Sequence, residues 1–164
     1  MSTASKGQAA SDNVASENVC TFWLGHRCFA LDVKLVGEVL TVDHCLDVPL
    51  APPAVQGLFN LRGVPVALVD LSALLDAPSP PPGAIQTALV IRTADLMVGL
   101  AVDRLGAVVF GREARLVRAT DADEHPLVRG FLERPAETDD IVTVLEPTAL
   151  IARLEELRFV QREH

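Results

Sequence analysis

The chain has 164 residues, 49% hydrophobic and 22% charged, with a net charge of −8 and an isoelectric point near 4.9. Such a composition belongs to a globular protein and excludes a disordered one. The acidic balance argues against nucleic acid or an anionic membrane surface as partner, since both demand a basic face, and no apolar run reaches the roughly 18 residues of a membrane helix.

The opening MSTASKGQAASDNVASENV lacks the apolar core of a secretory signal and reads as a polar tail over residues 1–17, which makes the cytoplasm the expected compartment. VCTFWL and RCFALDV follow as two strands around a Gly25-His26 turn. VKLVGEVLTV is either a short helix or an irregular crossing into a strand, and DHCLDVPLAPP is a loop broken by Pro49, Pro52 and Pro53. AVQGLFNL, apolar at 54, 55, 58, 59 and 61, reads as one or two helical turns. VPVALVDL is a strand and SALLDAP a short helical cap, after which APSPPPGA (77–84) marks the clearest internal boundary. TALVIR and LMVGLAVD form another hairpin. LEPTALIARLEELRFV, apolar at 150, 151, 154, 157 and 160, closes the chain as a helix, docked on the body in the first reading and binding a partner in the lesser one.

The order of events repeats across the proline-rich boundary. FALDVKLVGEVL (29–40) aligns with VGLAVDRLGAVV (98–109), bringing Leu31 onto Leu100, Val33 onto Val102, Gly37 onto Gly106 and Val39 onto Val108. VQG (55–57) aligns with VRG (128–130). PVALVDLSALL (65–75) aligns with IVTVLEPTALI (141–151), matching Asp70 with Glu146. These matches read as a degenerate duplication with copies at about 20–77 and 87–151 inside one domain, 18–160, followed by a short end at 161–164. Each copy alone buries too little surface to be stable, so the two are expected to share a core.

Chemistry is sparse. No phosphate loop, nucleophile elbow, dinucleotide fingerprint or zinc-protease motif is present. Cys20, His26, Cys28, His44 and Cys45 could be imagined around a metal. However, there is no C-x-x-C pair and His44 and Cys45 are adjacent, so buried thiols acting as small hydrophobes are expected, with no metal or cofactor. Asp121, Asp123, Glu124 and His125 read as a solvated loop and Asp139-Asp140 as a hairpin tip. Two charges stand out against the repeat. Glu38 aligns with Ala107, and the run around Arg62 has no N-L-R-G counterpart in the second copy. Either the two pair, which would let a partly buried arginine persist, or each is a surface charge on a turn.

The whole pattern resembles the CheW-like family, the coupling proteins of bacterial chemosensory arrays. The resemblance runs from about Val19 to Phe159 and is carried by ALDVKLVGEVL, VALVDL-SALL, VGLAVDRLGAV, VRG and IVTVLEPTALI. Its most specific element is G-x-x-N-L-R-G-x6-D at Gly57, Asn60, Leu61, Arg62, Gly63 and Asp70. Two positions depart from the family: Ala67 stands where a proline is usual, the proline here being Pro65, and Glu146 stands where aspartate is common. The resemblance implies an all-β fold with short helices, made of two five-stranded SH3-like β-barrels packed together. It also implies a non-enzymatic adaptor that binds the cytoplasmic tip of a chemoreceptor and the regulatory domain of a CheA-type histidine kinase. Receptor-facing positions carried over are Val36, Glu38, Asn60, Arg62, Gly99 and Val102, and kinase-facing positions are Val64, Pro65 and Val66. The alternatives are a CheW-like protein that binds or redirects receptors without activating kinase and, from another class, a small hydrolase on a β-scaffold. The hydrolase requires a cleft gathering two titratable groups.

Overall fold

The computed structural model describes residues 17–79, 85–120, 125–133 and 141–162, with side chains of the last helix described to residue 157. The expected tail falls, but for Glu17, on residues outside this set, as do part of the proline-rich boundary, the 121–124 acids and the Asp139-Asp140 tip. Among the described residues, eleven strands run in chain order as β1 (Val19–Leu24), β2 (Arg27–Asp32), β3 (Val36–Val42), β4 (Val55–Leu61), β5 (Val64–Asp70), β6 (Gln86–Arg92), β7 (Met97–Val102), β8 (Arg104–Val109), β9 (Arg115–Arg118), β10 (Val128–Glu133) and β11 (Val142–Leu145). Two helices complete the set, α1 (Leu71–Leu74) and α2 (Pro147–Arg162).

The strands form two sheets. Sheet I has six strands in the order β8-β1-β2-β11-β10-β9, and sheet II has five in the order β3-β6-β7-β5-β4. The expected pair of β-units is therefore present, with sheet I carrying one strand more than expected. The sheets do not follow the two sequence segments. Sheet I takes the first hairpin, β1-β2, from the early segment and β8 to β11 from the late one, whereas sheet II takes β3 to β5 early and β6-β7 late.

Pairing in the two sheets is closely parallel. β2 joins β11 in parallel, and β7 joins β5 in parallel. A bulge interrupts β3 between Val36 and Glu38, at Gly37, and another interrupts the β1–β8 pairing at the aligned Gly106. The VQG and VRG segments each carry a bulge as well, between Val55 and Gly57 and between Val128 and Gly130. The matched acids play one role: the Asp70 N–H donates to Ala54 O at 2.7 Å and the Glu146 N–H to Leu127 O at 2.8 Å, each at the entry to a helix. Val33 and Val102 part company. Val33 lies exposed in a 3-10 turn (Val33–Leu35), whereas Val102 is fully buried at the end of β7.

Three apolar clusters hold this arrangement. One lies between the sheets and takes Phe22, Phe29 and Leu31 from sheet I, Leu89, Ile91, Leu100 and Val102 from sheet II, and Leu150, Leu154 and Leu157 from α2. Sheet I keeps a second cluster on its other face, with Cys28, Ala30, Leu116, Val142 and Val144. Sheet II keeps a third, with Val42, Phe59, Val66, Leu68, Ala88 and Val90. Successive residues of β6 thus face opposite cores, which is why TALVIR is an almost unbroken apolar run rather than an alternating one. AVQGLFNL, expected to be helical, is β4. Its buried positions are 55, 57, 59 and 61, and Gly57 is the silent member of that alternation.

Candidate functional site

The site grows from the β4–β5 hairpin. Leu61 pairs with Val64 across a two-residue loop, Arg62-Gly63, with φ of +49° and +87°. Positive φ at both loop positions is the type I′ geometry, whose twist matches that of the flanking strands. Asn60 fixes the tip by accepting the Gly63 N–H on Oδ1 at 2.7 Å. Gly63 suits its position, but Arg62 holds a left-handed conformation that costs a β-carbon. A turn alone would be better served by Asn or Gly there.

Glu38 gives Arg62 its partner. The bulge at Gly37 sets Glu38 opposite Val90 on the edge strand β3, and bulges of this kind re-aim side chains. Arg62 Nη1 donates to Glu38 Oε2 at 3.1 Å and Nη2 to Oε1 at 2.5 Å, a two-pronged fork. Arg92, ending β6, brings Nη2 to 3.7 Å from Glu38 Oε1. The Arg62 side chain is 70% exposed and that of Glu38 27%. The hydrogen bond from Arg62 holds the Glu38 carboxyl below its usual range, aided by the charges of Arg62 and Arg92 and opposed by partial burial. The same bond, with the carboxylate charge, raises the guanidinium of Arg62. Of the two readings open for these charges, the structure has them paired.

The other receptor-facing positions divide. Val36 is half-buried and packs against the central cluster. Gly99 and Val102 lie in the interior on β7 and offer a partner no side-chain surface. Gly99 answers to packing, because a β-carbon there would fall 2.7 Å from the Phe59 ring. Among the kinase-facing positions Val64 and Pro65 are exposed, whereas Val66 is buried in the sheet II cluster. Pro65 precedes Ala67, where β7 joins β5, so its missing N–H costs that ladder nothing.

Beside the hairpin opens a groove of about 550 Å³, lined by Leu40, Leu46, Leu58 and Pro65 with Asp43 and His44 at its polar side. Leu46 is among the most exposed large apolar residues described, and it lies in the DHCLDVPLAPP segment expected as loop. Asp43 and His44 do share this cleft, as the hydrolase alternative requires, but neither makes a hydrogen bond or ion pair among the described residues. Cys20 and Cys28 are buried, and burial pushes the Cys20 thiol up. Among the described residues no cluster of His, Cys, Asp or Glu could hold a metal ion. No described helix is long and apolar enough to cross a membrane. Arg92 was missed by sequence reading, since a basic residue closing a strand carries no signal of its own.

Rigid β-units, an ion pair displayed on a hairpin tip and an apolar groove with a polar side define a protein-binding scaffold. The CheW-like domain model matches residues 18–155, and the chain belongs to that family. It is similar to chemotaxis protein CheW of Helicobacter pylori, at 28% identity over 152 residues covering 92% of this chain and 90% of the relative. It is also similar to chemotaxis protein CheW of Treponema pallidum, at 27% identity over 96 residues covering 54% of this chain, and that match spans about half, 55%, of the relative's length. The scaffolding protein TtCheW of Thermoanaerobacter tengcongensis has the same fold, with a TM-score of 0.64 at 20% identity over 80% of this chain and 89% of that one. Family membership makes the chain a chemotaxis coupling protein of the adaptor class and not an enzyme.

Proposed function

We propose that this protein couples the cytoplasmic tips of chemoreceptors to the regulatory domain of a CheA-type histidine kinase. It would act in the cytoplasm, held at receptor arrays through these partners. The observation that carries the reading is the two-pronged Glu38–Arg62 pair, displayed at a hairpin tip in a chain of the CheW-like family. Receptor recognition is assigned to Glu38, Arg62 and the Asn60 that fixes the turn, with Val36 beside them. Kinase contact is assigned to Val64 and Pro65 and the groove they border. No nucleic acid, cofactor or membrane insertion enters the mechanism. The adaptor works by holding two partners at fixed distance and orientation on rigid strands.

Reconstitution tests this. Kinase autophosphorylation is measured with receptor-bearing membranes, with and without the protein. A rise that requires both receptor and protein supports coupling. Receptor binding with no rise would favour the alternative in which the protein binds or redirects receptors without activating kinase. Binding to neither partner would overturn the proposal.

A further inference from the structure

Glu38 is more fully used than a simple ion pair requires. Both its oxygens are taken by the Arg62 fork, yet a second guanidinium, that of Arg92, lies against the same Oε1 at 3.7 Å. That separation is too long for a hydrogen bond, so most donors of Arg92 are uncommitted toward Glu38. The Arg92 side chain is 51% exposed and that of Arg62 70%. One carboxylate between two guanidiniums leaves a local charge of +1 on a chain whose net charge is −8. Gly37 lies beside the spot, where a β-carbon would make only ordinary contacts, 3.6 Å from Arg92 Cβ and 3.9 Å from its Nε.

The fold itself does not ask for this group. The bulge at Gly37 corresponds to the one at Gly106, so the pairing of Val36 with Ile91 corresponds to that of Leu105 with Phe22. One residue past Ile91 and Phe22, Arg92 corresponds to Trp23, and two residues past Val36 and Leu105, Glu38 corresponds to Ala107. On sheet I the place of the charged cluster is thus taken by a tryptophan, over which Arg104 stacks with Cζ 4.5 Å from the ring centroid. A cluster found on one of two like sheets serves a task and not the scaffold.

We propose that Arg92, with Arg62 held beside it by Glu38, forms a carboxylate-binding site for an acidic side chain of a protein partner. The inference rests on the receptor reading above for the identity of that partner. Guanidinium suits the role, since its planar fork meets carboxylate geometry with two parallel bonds. Glu38 keeps Arg62 from folding away and is itself neutralised by it, so the incoming carboxylate meets Arg92 without net repulsion.

The test has two arms. In the first, the nitrogen-15-labelled full chain is titrated with hexaglutamate, reading the Nε–H signals of Arg62 and Arg92 and the backbone N–H of Gly37. Saturating shifts confined to this cluster, absent in Arg92→Gln, support the site. Unmoved signals, or the same shifts in Arg92→Gln, overturn it. In the second arm, receptor co-sedimentation of Arg92→Gln should fall roughly three- to tenfold, as for losing one partly exposed charge-assisted contact, with Arg92→Lys recovering part of the loss. Unchanged co-sedimentation beside a positive first arm would remove the receptor as the acidic partner. Failure of the wild type to co-sediment would defeat the receptor reading, while the first arm still decides the carboxylate site.

Discussion

Sheets I and II share a pairing plan and differ on their open sides. In sheet I, β9 pairs along β10 from Arg118–Gly130 to Arg115–Glu133, and a pocket of only about 20 Å³ is lined by Leu116 and Leu132 of these strands. In sheet II the corresponding cover is a single bridge, Leu46 to Leu58, and a groove of about 550 Å³ remains. The charged cluster lies on sheet II as well, where sheet I has Ala107 and Trp23. The difference teaches that the repeat supplies a scaffold twice and that the site proposed for recognition lies on the sheet left open. We read the two sequence segments as copies that have exchanged their leading hairpins, each completing the other's sheet.

The comparison breaks first if the cores are unlike. Leu31 and Leu100 are both fully buried and face the central cluster from opposite sheets. Leu31→Ala and Leu100→Ala should each cost about 2–5 kcal/mol, and chemical denaturation should show one cooperative transition in both variants. Separate transitions would mean that the sheets fold independently and that the shared cluster is unimportant.

A smaller effect is expected at the paired bulges. A β-carbon at Gly130 would meet Val117 O at 2.2 Å, and one at Gly57 would meet Leu46 O at 2.4 Å, both backbone atoms that cannot turn aside. Gly130→Ala and Gly57→Ala should each destabilise by about 1–3 kcal/mol, as overpacking does, read as denaturation midpoints. Gly57→Ala also sets a β-carbon on a backbone with φ of +157°, so it should be the worse of the two. The reverse order would mean that the continuous β9 cover over Gly130 outweighs that backbone strain.

Much of this was legible in the sequence, and the failures have physical causes. The hairpins around Gly25 and Thr93, the strand VPVALVDL and the final helix follow from period and turn chemistry. β4 was misread because Gly57 occupies a buried alternating position without an apolar side chain, leaving a pattern that looks helical. The exchange of hairpins was invisible, since periodicity assigns faces to a strand and not neighbours to it. Glu38 and Arg62 were found because the repeat does not reproduce them. Gly99 and Val102 were placed on a surface because alignment carries position and not burial. Leu46 and Arg92 carry no local pattern and needed the fold.

Subtler tests sharpen the role of the hairpin tip. Arg62→Gly removes both the side chain and the cost of positive φ, whereas Arg62→Ala removes only the side chain. Arg62→Gly should therefore melt a few degrees above Arg62→Ala, while both lose receptor binding alike. The smallest effect is in pH. The carboxyl of Glu38 is depressed in the folded state, so its contribution is fully present above the usual glutamate pKa and is lost as pH falls through the lowered folded value. Glu38→Gln should flatten the stability profile in that acid window only, as read from melting midpoints across pH. A change near neutral pH would point to another group.

The central claim is that Glu38 and Arg62 act as one recognition unit. It is met most directly by receptor co-sedimentation for wild type, Arg62→Ala, Glu38→Ala and the double variant, with melts confirming the fold. Each single variant should weaken binding at least about fivefold, and the double should be little worse than either, because residues in direct contact are not additive. Arg62→Lys should rescue poorly, lacking the planar fork. Fully additive losses would dissolve the unit, and unchanged binding in Arg62→Ala would contradict the account.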